Sequence, residues 1–490
     1  MSPAPPWSLL RQSPVLTTLA GLARRQGTRL WLCGGSLRDL LLGLTPPDLD
    51  LACEGDALVL GRELAQSLGG RMVPLGREFA TCRVVLSTGY LDLAGLRAPD
   101  IRSDLAARDF TVNALALPLE DLLQADDPAA AILDPTGGRE DLAARLLRPA
   151  GPGVLAADPL RVLRAFRFVS THGLELAPGV AEDLAGAGPG LFRVAPERLG
   201  AEWLALMSGA RPAPAAAAME RCQVLTRLVP ELAAGRGLEQ NPYHHLDVLE
   251  HSLACLAAAQ ELAAGGLEAG ALAGEAGAYL CQGRRRGLVM CAALLHDLGK
   301  PRTRQPKEPG WASFYRHETV GAGLARRRLR ALGLSKADAE FAGRLVGEHM
   351  RPFHLLGAQS RGELSDRALR RLLAAAGPEL PVLFLLALAD TMAGQGPQRP
   401  PEAEARLLAL YELVAARRDQ ELAAALAAPP LLGGRELMAA LGLAQGPEVG
   451  RLLGLLREAQ LEGRIQDKEQ AIALARRALA GPVDSPQDGC

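Results

Sequence analysis

The chain lacks paired cysteines: its eight cysteines are scattered, none in C-x-x-C spacing. That argues against a zinc knuckle or a disulfide framework and favours a reducing, cytoplasmic setting. Long apolar runs are missing too. The longest, residues 381–389, falls far short of the ~20 residues that cross a bilayer and reads as a buried helix. The first residues show no signal-peptide-like apolar segment. Excess charge of either sign is absent, the formal net charge being −1, so any nucleic-acid site must be a local patch. Arginine outnumbers lysine, which coding bias explains more simply than phosphate recognition. No internal repeat of fixed period appears, which argues against a solenoid. What is present is a globular composition, 48% hydrophobic over 490 residues, with room for two to four domains.

Strand-like runs crowd into the first hundred residues: 28–33 (TRLWLC), 48–53 (DLDLAC), 71–75, 79–86 and 90–96. Between them, residues 36–42 and 57–68 have helical spacing. After Asp141 no convincing strand follows, and the chain turns Leu/Ala/Arg-rich. The expected fold class is therefore α+β, with an α/β head and an all-α remainder. Residues 211–218 (RPAPAAAA) read as a linker, 265–277 as a Gly/Ala-rich insertion, and 394–401 (GQGPQRPP) as a boundary before a helical tail.

The most informative segment is LWLCGGSLRDLLLGLTPPDLDLAC, residues 30–53. A hydrophobic strand runs into Gly34 and Gly35, and a helix opens at once. Glycines let the backbone approach a ligand, and a helix N-terminus offers free N–H groups to an anion. Arg38, one turn in, can reach a phosphate. Asp48 and Asp50 follow on a strand, where period two sets both carboxylates on one face with Cα atoms ~6–7 Å apart. That spacing suits two divalent ions shared with a triphosphate. Alone, D-x-D and Gly-Gly are weak signals; their ordered combination is much stronger.

With these residues in place the sequence resembles the class II nucleotidyltransferases, the tRNA CCA-adding enzymes and bacterial poly(A) polymerases. Their pattern G-G-x-x-R-D…L-G…D-x-D is matched by Gly34, Gly35, Arg38, Asp39, Gly43, Asp48 and Asp50. The resemblance implies a polymerase beta-like head in which Asp48 and Asp50 hold Mg²⁺ while the glycines and Arg38 contact the triphosphate. It continues in order. YLDLAGLR at 90–97 resembles the strand supplying a third carboxylate, Asp92. ARDFTVNAL at 107–115 resembles a segment in which Arg108, Asp109 and Asn113 match, and DPTGGREDL at 134–142 a further one. ADPLRVLRAFRF at 157–168 resembles the segment that reads the incoming base, and PERLGAEW at 196–203 the one closing the neck, through Glu197, Arg198 and Glu202.

The base-reading segment also makes chemical sense. Asp158 and Arg161 stand at i, i+3 on a predicted helix and would be neighbours on its surface. An Asp accepts from an exocyclic amine and an Arg donates to ring acceptors, so the pair can select C and A without a template. Arg164 and Arg167 would meet phosphate or support the helix. Two positions depart from the family, Ala107 and Ala157. So does the connection from Arg97 to Asp104, which is short where CCA-adding members carry a longer flexible loop. CC-adding members share that shortening, so the resemblance leans toward CC addition.

Residues 241–390 hold seven of the eight histidines. His251 falls on a helix, and CAALLHDLGK sets His296 and Asp297 at the end of an apolar helix. His317, His349 and His354 follow, and Asp390 ends a buried helix. Adjacent His-Asp, with a His and an Asp from separate helices, makes a divalent site with positions left for water. The H…HD…D order of His251, His296, Asp297 and Asp390 resembles the HD phosphohydrolase superfamily. The metal's identity stays open, as does whether the domain hydrolyses phosphate esters or is a structural remnant. His172, His244 and His245 read as ordinary core or surface residues.

These readings give a head over about 1–145, a neck over 146–235, an HD domain over 240–395 and a helical tail over 396–490. The tail's basic residues, among them Arg406, Arg417, Arg418, Arg451, Arg464 and Lys468, are either a solvated face or a grip on tRNA. The expected partners are a tRNA 3′ end and CTP or ATP, with no membrane and an oligomeric state left open. Two rivals remain: a poly(A) polymerase, and an HD phosphohydrolase whose head has become an RNA-binding module.

Overall fold

Alternation of apolar and polar residues builds a six-stranded sheet near the start of the chain. The computed structural model describes residues 7–46, 48–76, 80–266, 270–307, 311–427, 429–461 and 464–479. The strands are β1 (Leu30–Cys33), β2 (Leu49–Cys53), β3 (Arg71–Gly76), β4 (Thr81–Leu86), β5 (Gly89–Gly95) and β6 (Ala116–Pro118), in the order β3-β4-β5-β2-β1-β6. β2 and β5 run parallel, and the other neighbours antiparallel. Phe79, at the start of the expected strand 79–86, lies outside the described residues. β6 was not foreseen, because it is buried without a polar face to give it period two: Ala116 and Leu117 are fully buried.

Period two divides the sheet's residues between its faces. Leu51, Cys53, Val84, Leu91 and Leu93 pack on Leu16 and Leu19 of the Pro14–Gln26 helix and on Leu60 and Leu64 of the Ala57–Ser67 helix. Each fully buried leucine stabilises the fold by roughly 1.5–3 kcal/mol. The intervening residues Asp50 and Asp92 are left for the opposite face. There Trp31, Cys33 and Ala52 form a second, smaller core with Ile101 and Leu105. The packing that builds the head therefore also sets the carboxylates together.

Helices dominate the rest of the chain. The Leu160–His172 helix buries Val162, Leu163, Phe166 and Val169, which leaves Arg161, Arg164 and Arg167 less buried. It lies against the Pro196–Ser208 helix, and Ser170 Oγ donates to Leu206 O at 2.6 Å. The approach there needs Gly209, since a Cβ would sit 2.2 Å from Ser170 Oγ. Two expectations change. Residues 211–218 are not a linker: Pro212–Arg221 is a helix with Ala213, Ala215, Ala216 and Ala218 buried. Proline suits the first helical position and alanine is the best helix former, so the composition favoured a helix. Within the supposed insertion, Ala271–Leu280 is likewise helical and buries Leu272, Ala276 and Tyr279; residues 267–269 lie outside the described residues. Two-residue strand pairs do occur after Asp141, Leu146–Leu147 with Glu175–Leu176 and Gln305–Pro306 with Ala312–Ser313.

By packing, residues 1–350 with 381–404 form one unit, and 351–380 with 405–490 another. In the first unit the helices Val248–Glu261, Arg285–Leu295, His317–Ala331 and Lys336–Glu348 carry the histidines or lead into them. The helical stretch Asp366–Ala393 has the length and composition to cross a membrane, but 67% of its most apolar window is buried inside the protein, as in a core helix. The second unit has its own core, including Leu432, Leu437, Leu452, Leu456 and Ala471. Several of its basic residues meet acids of the same unit: Arg417 with Asp366, Arg451 with Glu448 and Lys468 with Glu436.

Candidate nucleotide and metal sites

Three carboxylates converge on the open face of the head. In the parallel register Asp50 lies directly beside Asp92, and Asp48 stands one residue before β2. Ligand oxygens of Asp48, Asp50 and Asp92 lie within 4.8 Å of one another. Ser36 fixes this arrangement: its hydroxyl donates to Asp48 O at 3.1 Å and accepts from the Asp50 N–H at 2.6 Å. Burial, then repulsion from Asp48 and Asp92, raises the Asp50 carboxyl above its usual range. Crowded oxygens that resist ionising together create a demand for cations, and an all-oxygen donor set suits a hard ion such as Mg²⁺. The residues present therefore fit the ion that the family resemblance implies.

Sequence reasoning missed Arg83. It faces Asp92 across the β4–β5 pair and donates to both carboxylate oxygens at 2.8 Å, with its guanidinium 4.0 Å from the Tyr90 ring centroid. Its signal was the alternation of β4, which sets residue 83 on the carboxylate face.

Gly34 and Gly35 open the helix Gly34–Leu41 beside these carboxylates. Gly34 has φ +64°, and a Cβ there would stand 3.1 Å from Arg108 Nη1 and 3.5 Å from Asp50 Oδ2. Cys33, before them, provides no side-chain cap, so the helix N–H groups are not closed off from that side. Arg108 donates to Asp104 at 3.1 Å and to Cys33 Sγ at 3.3 Å. Asp104 also accepts from the Arg97 N–H at 2.9 Å, so one carboxylate ties both ends of the short connection.

Arg38, Asp109, Asn113, Arg164 and Arg167 come together in one network. Arg38 lies beneath Gly35 with its side chain 8% exposed, donating to Asp39 at 2.7 Å and to Asn113 at 2.8 Å. Asn113 donates to Asp109 at 3.0 Å, and Arg164 reaches the other Asp109 oxygen at 2.6 Å. Arg167 donates to Glu202 at 2.7 Å. The guanidiniums of Arg38, Arg164 and Arg167 surround the Phe168 ring at 5.2, 5.8 and 4.5 Å. Burial alone would raise Asp109, yet Arg164 and Asn113 hold it below the usual carboxylate range. His172, expected to be ordinary, sits with Nε2 3.4 Å from Asp39 Oδ1, and burial lowers its pKa.

Asp158 and Arg161 are placed differently from the expectation. Asp158 is not on the helix but two residues before Leu160, whose N–H it accepts at 3.2 Å. An Asp ahead of a helix finds unpaired N–H groups there, which a surface-pair argument ignores. Its other oxygen receives Arg198 at 2.9 Å. Arg161 donates to the carbonyls of Ala107, Arg108 and Val154 at 3.1–3.3 Å. Beside Asp158 opens a cleft of about 570 Å³, lined by Pro159, Arg193, Ala195 and Arg198 among others.

The histidines of the first unit make a second site. His251, His296 and Asp297 have ligand atoms within 4.8 Å of one another, and Asp390 lies 2.9 Å from His251 Nε2. All four expected residues therefore converge. His317 and His349, not assigned from sequence, join Asp297 in a further group. His244 also belongs here: its ring packs 4.6 Å from that of His251, and burial pulls its pKa down to about 3. Against burial, His296 and Lys300 hold Asp297 well below the usual carboxylate range, Lys300 Nζ lying 2.6 Å from Oδ2. Imidazoles with carboxylates form a donor set suited to a divalent transition metal.

Residues 30–148 match the Poly A polymerase head domain family and residues 248–394 the HD domain family. The chain is 37% identical to the A-adding tRNA nucleotidyltransferase of Deinococcus radiodurans, over 91% of this chain and 94% of that one. It is 35% identical to the CC-adding tRNA nucleotidyltransferase of Thermus thermophilus, over 90% and 91% respectively. The fold is similar to that of the Thermotoga maritima CCA-adding enzyme, solved in complex with tRNA, with a TM-score of 0.55 at 19% identity, covering 96% of this chain and 98% of that one.

Proposed function

The chain belongs to the tRNA nucleotidyltransferases, enzymes that carry a poly A polymerase head, here with an HD domain, and from that premise we propose that it extends tRNA 3′ ends with C or A taken from CTP or ATP. In the reaction the terminal 3′-hydroxyl oxygen attacks the α-phosphorus. A new P–O bond forms, the α–β bridging P–O bond breaks, the hydroxyl proton is lost and pyrophosphate leaves. The observation that carries this reading is the triad of Asp48, Asp50 and Asp92, with oxygens within 4.8 Å, beside the glycine-opened helix.

Asp48 and Asp50 hold Mg²⁺, with Asp92 assisting. When bound, such ions supply activation of the hydroxyl and stabilisation of the leaving pyrophosphate. The N–H groups at Gly34 and Gly35, with Arg38, receive the triphosphate. Arg108, Asp158, Arg161 and Arg164 select the base, while Asp109 holds Arg164, Asn113 holds Arg38 and Glu202 holds Arg167, which lines the same nucleotide site. His251, His296, Asp297 and Asp390 bind a divalent metal in the HD domain, a site suited to hydrolysing phosphate esters or cyclic phosphates.

CC addition is favoured by the connection from Arg97 to Asp104. A helix, Ile101–Ala106, capped by Asp100, begins within it, and it is closed by the bond from Arg97 N–H to Asp104. Little chain is left free to rearrange between C and A. The second reading, A addition, rests on the 37% identity to an A-adding relative. The test uses tRNA transcripts ending at the discriminator base or in CC, with Mg²⁺ and CTP or ATP supplied separately. Two C additions to the first transcript and none of A to the second support CC addition. A added only to the CC end reverses the assignment, and ATP-driven repetitive extension would indicate a poly(A) polymerase.

A further inference from the structure

One ring at the end of the neck helix is aimed at the head. His172 closes the Leu160–His172 helix, which Gly173 ends with φ +64°. Its imidazole is largely buried and packs on Phe168, with ring centroids 5.4 Å apart. Nε2 faces the Gly34–Leu41 helix and stands 3.4 Å from Asp39 Oδ1. Burial, against the bond to Asp39, lowers the ring's pKa, so at neutral pH the ring is uncharged and carries a single proton.

Thr171 decides which nitrogen holds that proton. Its hydroxyl has one hydrogen and two acceptors in reach, Arg167 O at 2.8 Å and His172 Nδ1 at 2.7 Å. The Arg167 carbonyl already accepts the helical bond from the Thr171 N–H, so it loses little when the hydroxyl turns away. A bare Nε2 facing a carboxylate would instead set two lone pairs against each other in a largely buried place. The consistent arrangement has Thr171 donating to Nδ1 and the ring donating from Nε2 to Asp39.

Asp39 passes this constraint on to Arg38. The same Asp39 oxygen accepts from Arg38 Nε at 2.8 Å and Nη2 at 2.7 Å, while Nη1 is held by Asn113 at 2.8 Å. Among the described residues three of the five guanidinium N–H groups are thus engaged, which leaves one on each terminal nitrogen for a phosphate. Nη2 lies 3.4 Å from where a Cβ of Gly35 would stand, so a turn of the carboxylate would shift the guanidinium under the glycine opening. Against burial, the bond from His172 and the charge of Arg38 keep Asp39 below the usual carboxylate range. We propose that His172 is a positioning residue for nucleotide binding: its Nε2–H holds the Asp39 carboxylate and, through it, aims Arg38 at the triphosphate. The inference rests on the triphosphate-binding reading of Arg38 and names the neck residue that sets its aim.

The test measures kcat and KM for whichever of CTP and ATP the full chain adds, at saturating tRNA and Mg²⁺. His172→Gln keeps an N–H donor at the reach of Nε2, whereas His172→Asn reaches only the position of Nδ1. Both replacements are polar and no larger than imidazole, and circular dichroism checks that each variant is folded. His172→Asn should raise the nucleotide KM about fivefold at nearly unchanged kcat, the worth of one hydrogen bond, while His172→Gln stays within about twofold of the wild type. Because His172 acts through Asp39, adding His172→Asn to Asp39→Ala should raise KM no further. Equal KM values in the Gln and Asn variants, or losses that add in the double variant, overturn the assignment. Arg38→Ala separates the two levels. If it leaves KM unchanged, the triphosphate reading of Arg38 fails and the inference fails with it. If it raises KM while His172→Asn does not, the role of His172 alone is refuted.

Discussion

Arg83 shows how one residue can adjust a proposed metal site without belonging to it. Its guanidinium neutralises Asp92, the third carboxylate, through two bonds of 2.8 Å and is steadied by Tyr90. On the proposed function, cations at Asp48 and Asp50 would therefore share Asp92 with a fixed positive charge. The pair is partly exposed, so its effect is modest, on the order of 1 kcal/mol. Arg83→Met should lower the Mg²⁺ concentration for half-maximal nucleotide addition about fivefold. A titration of initial rate against Mg²⁺ checks this, and an unchanged or raised requirement would mean that Arg83 orients Asp92 rather than competing for it. The carboxylates were legible from spacing and family resemblance, whereas Arg83 was not. A single arginine on a strand has no motif, and its meaning comes from the register that opposes it to Asp92.

At the scale of elements, the strand-to-helix passage at Gly34 joins backbone geometry to chemistry. Its φ of +64° is left-handed, and the space where a Cβ would stand is bounded by Arg108 and Asp50. Alanine there costs roughly 1–2 kcal/mol in backbone strain and also displaces Arg108. Gly34→Ala should therefore reduce kcat/KM by at least about tenfold while lowering the unfolding midpoint by only a few degrees. An equal loss of both would make the glycine merely structural. The elements themselves were largely readable: five of the six head strands have alternating or β-branched runs, and the helix after Gly34 was placed correctly. β6 was hidden because burial on both sides erases alternation. Residues 211–218 misled because proline and alanine resemble a linker in composition but start and sustain a helix in place. Asp158 misled for a related reason, since capping drew it off the helix on which spacing had set it.

Across the whole molecule, the chain carries two kinds of candidate metal-ligand cluster, carboxylates in the head and imidazole-rich groups in the HD domain. The head residues were legible because their spacing is local, Asp48 and Asp50 two apart and the glycines a helix turn from Arg38. The candidate HD ligands span residues 251 to 390, on or beside three helices, and come together only when those helices are assembled. The central claim is that nucleotide addition belongs to the head carboxylates and not to the HD cluster. The most direct measurement compares CTP- and ATP-dependent extension of tRNA by the wild type, by Asp48→Ala/Asp50→Ala and by His296→Ala, each checked for folding by circular dichroism. The account predicts that the double variant loses extension by roughly a thousandfold or more, as expected when metal-assisted charge stabilisation worth several kcal/mol is removed. His296→Ala should extend tRNA at nearly the wild-type rate. Extension that survives in the double variant and disappears with His296→Ala would contradict the account and move the working site to the HD domain.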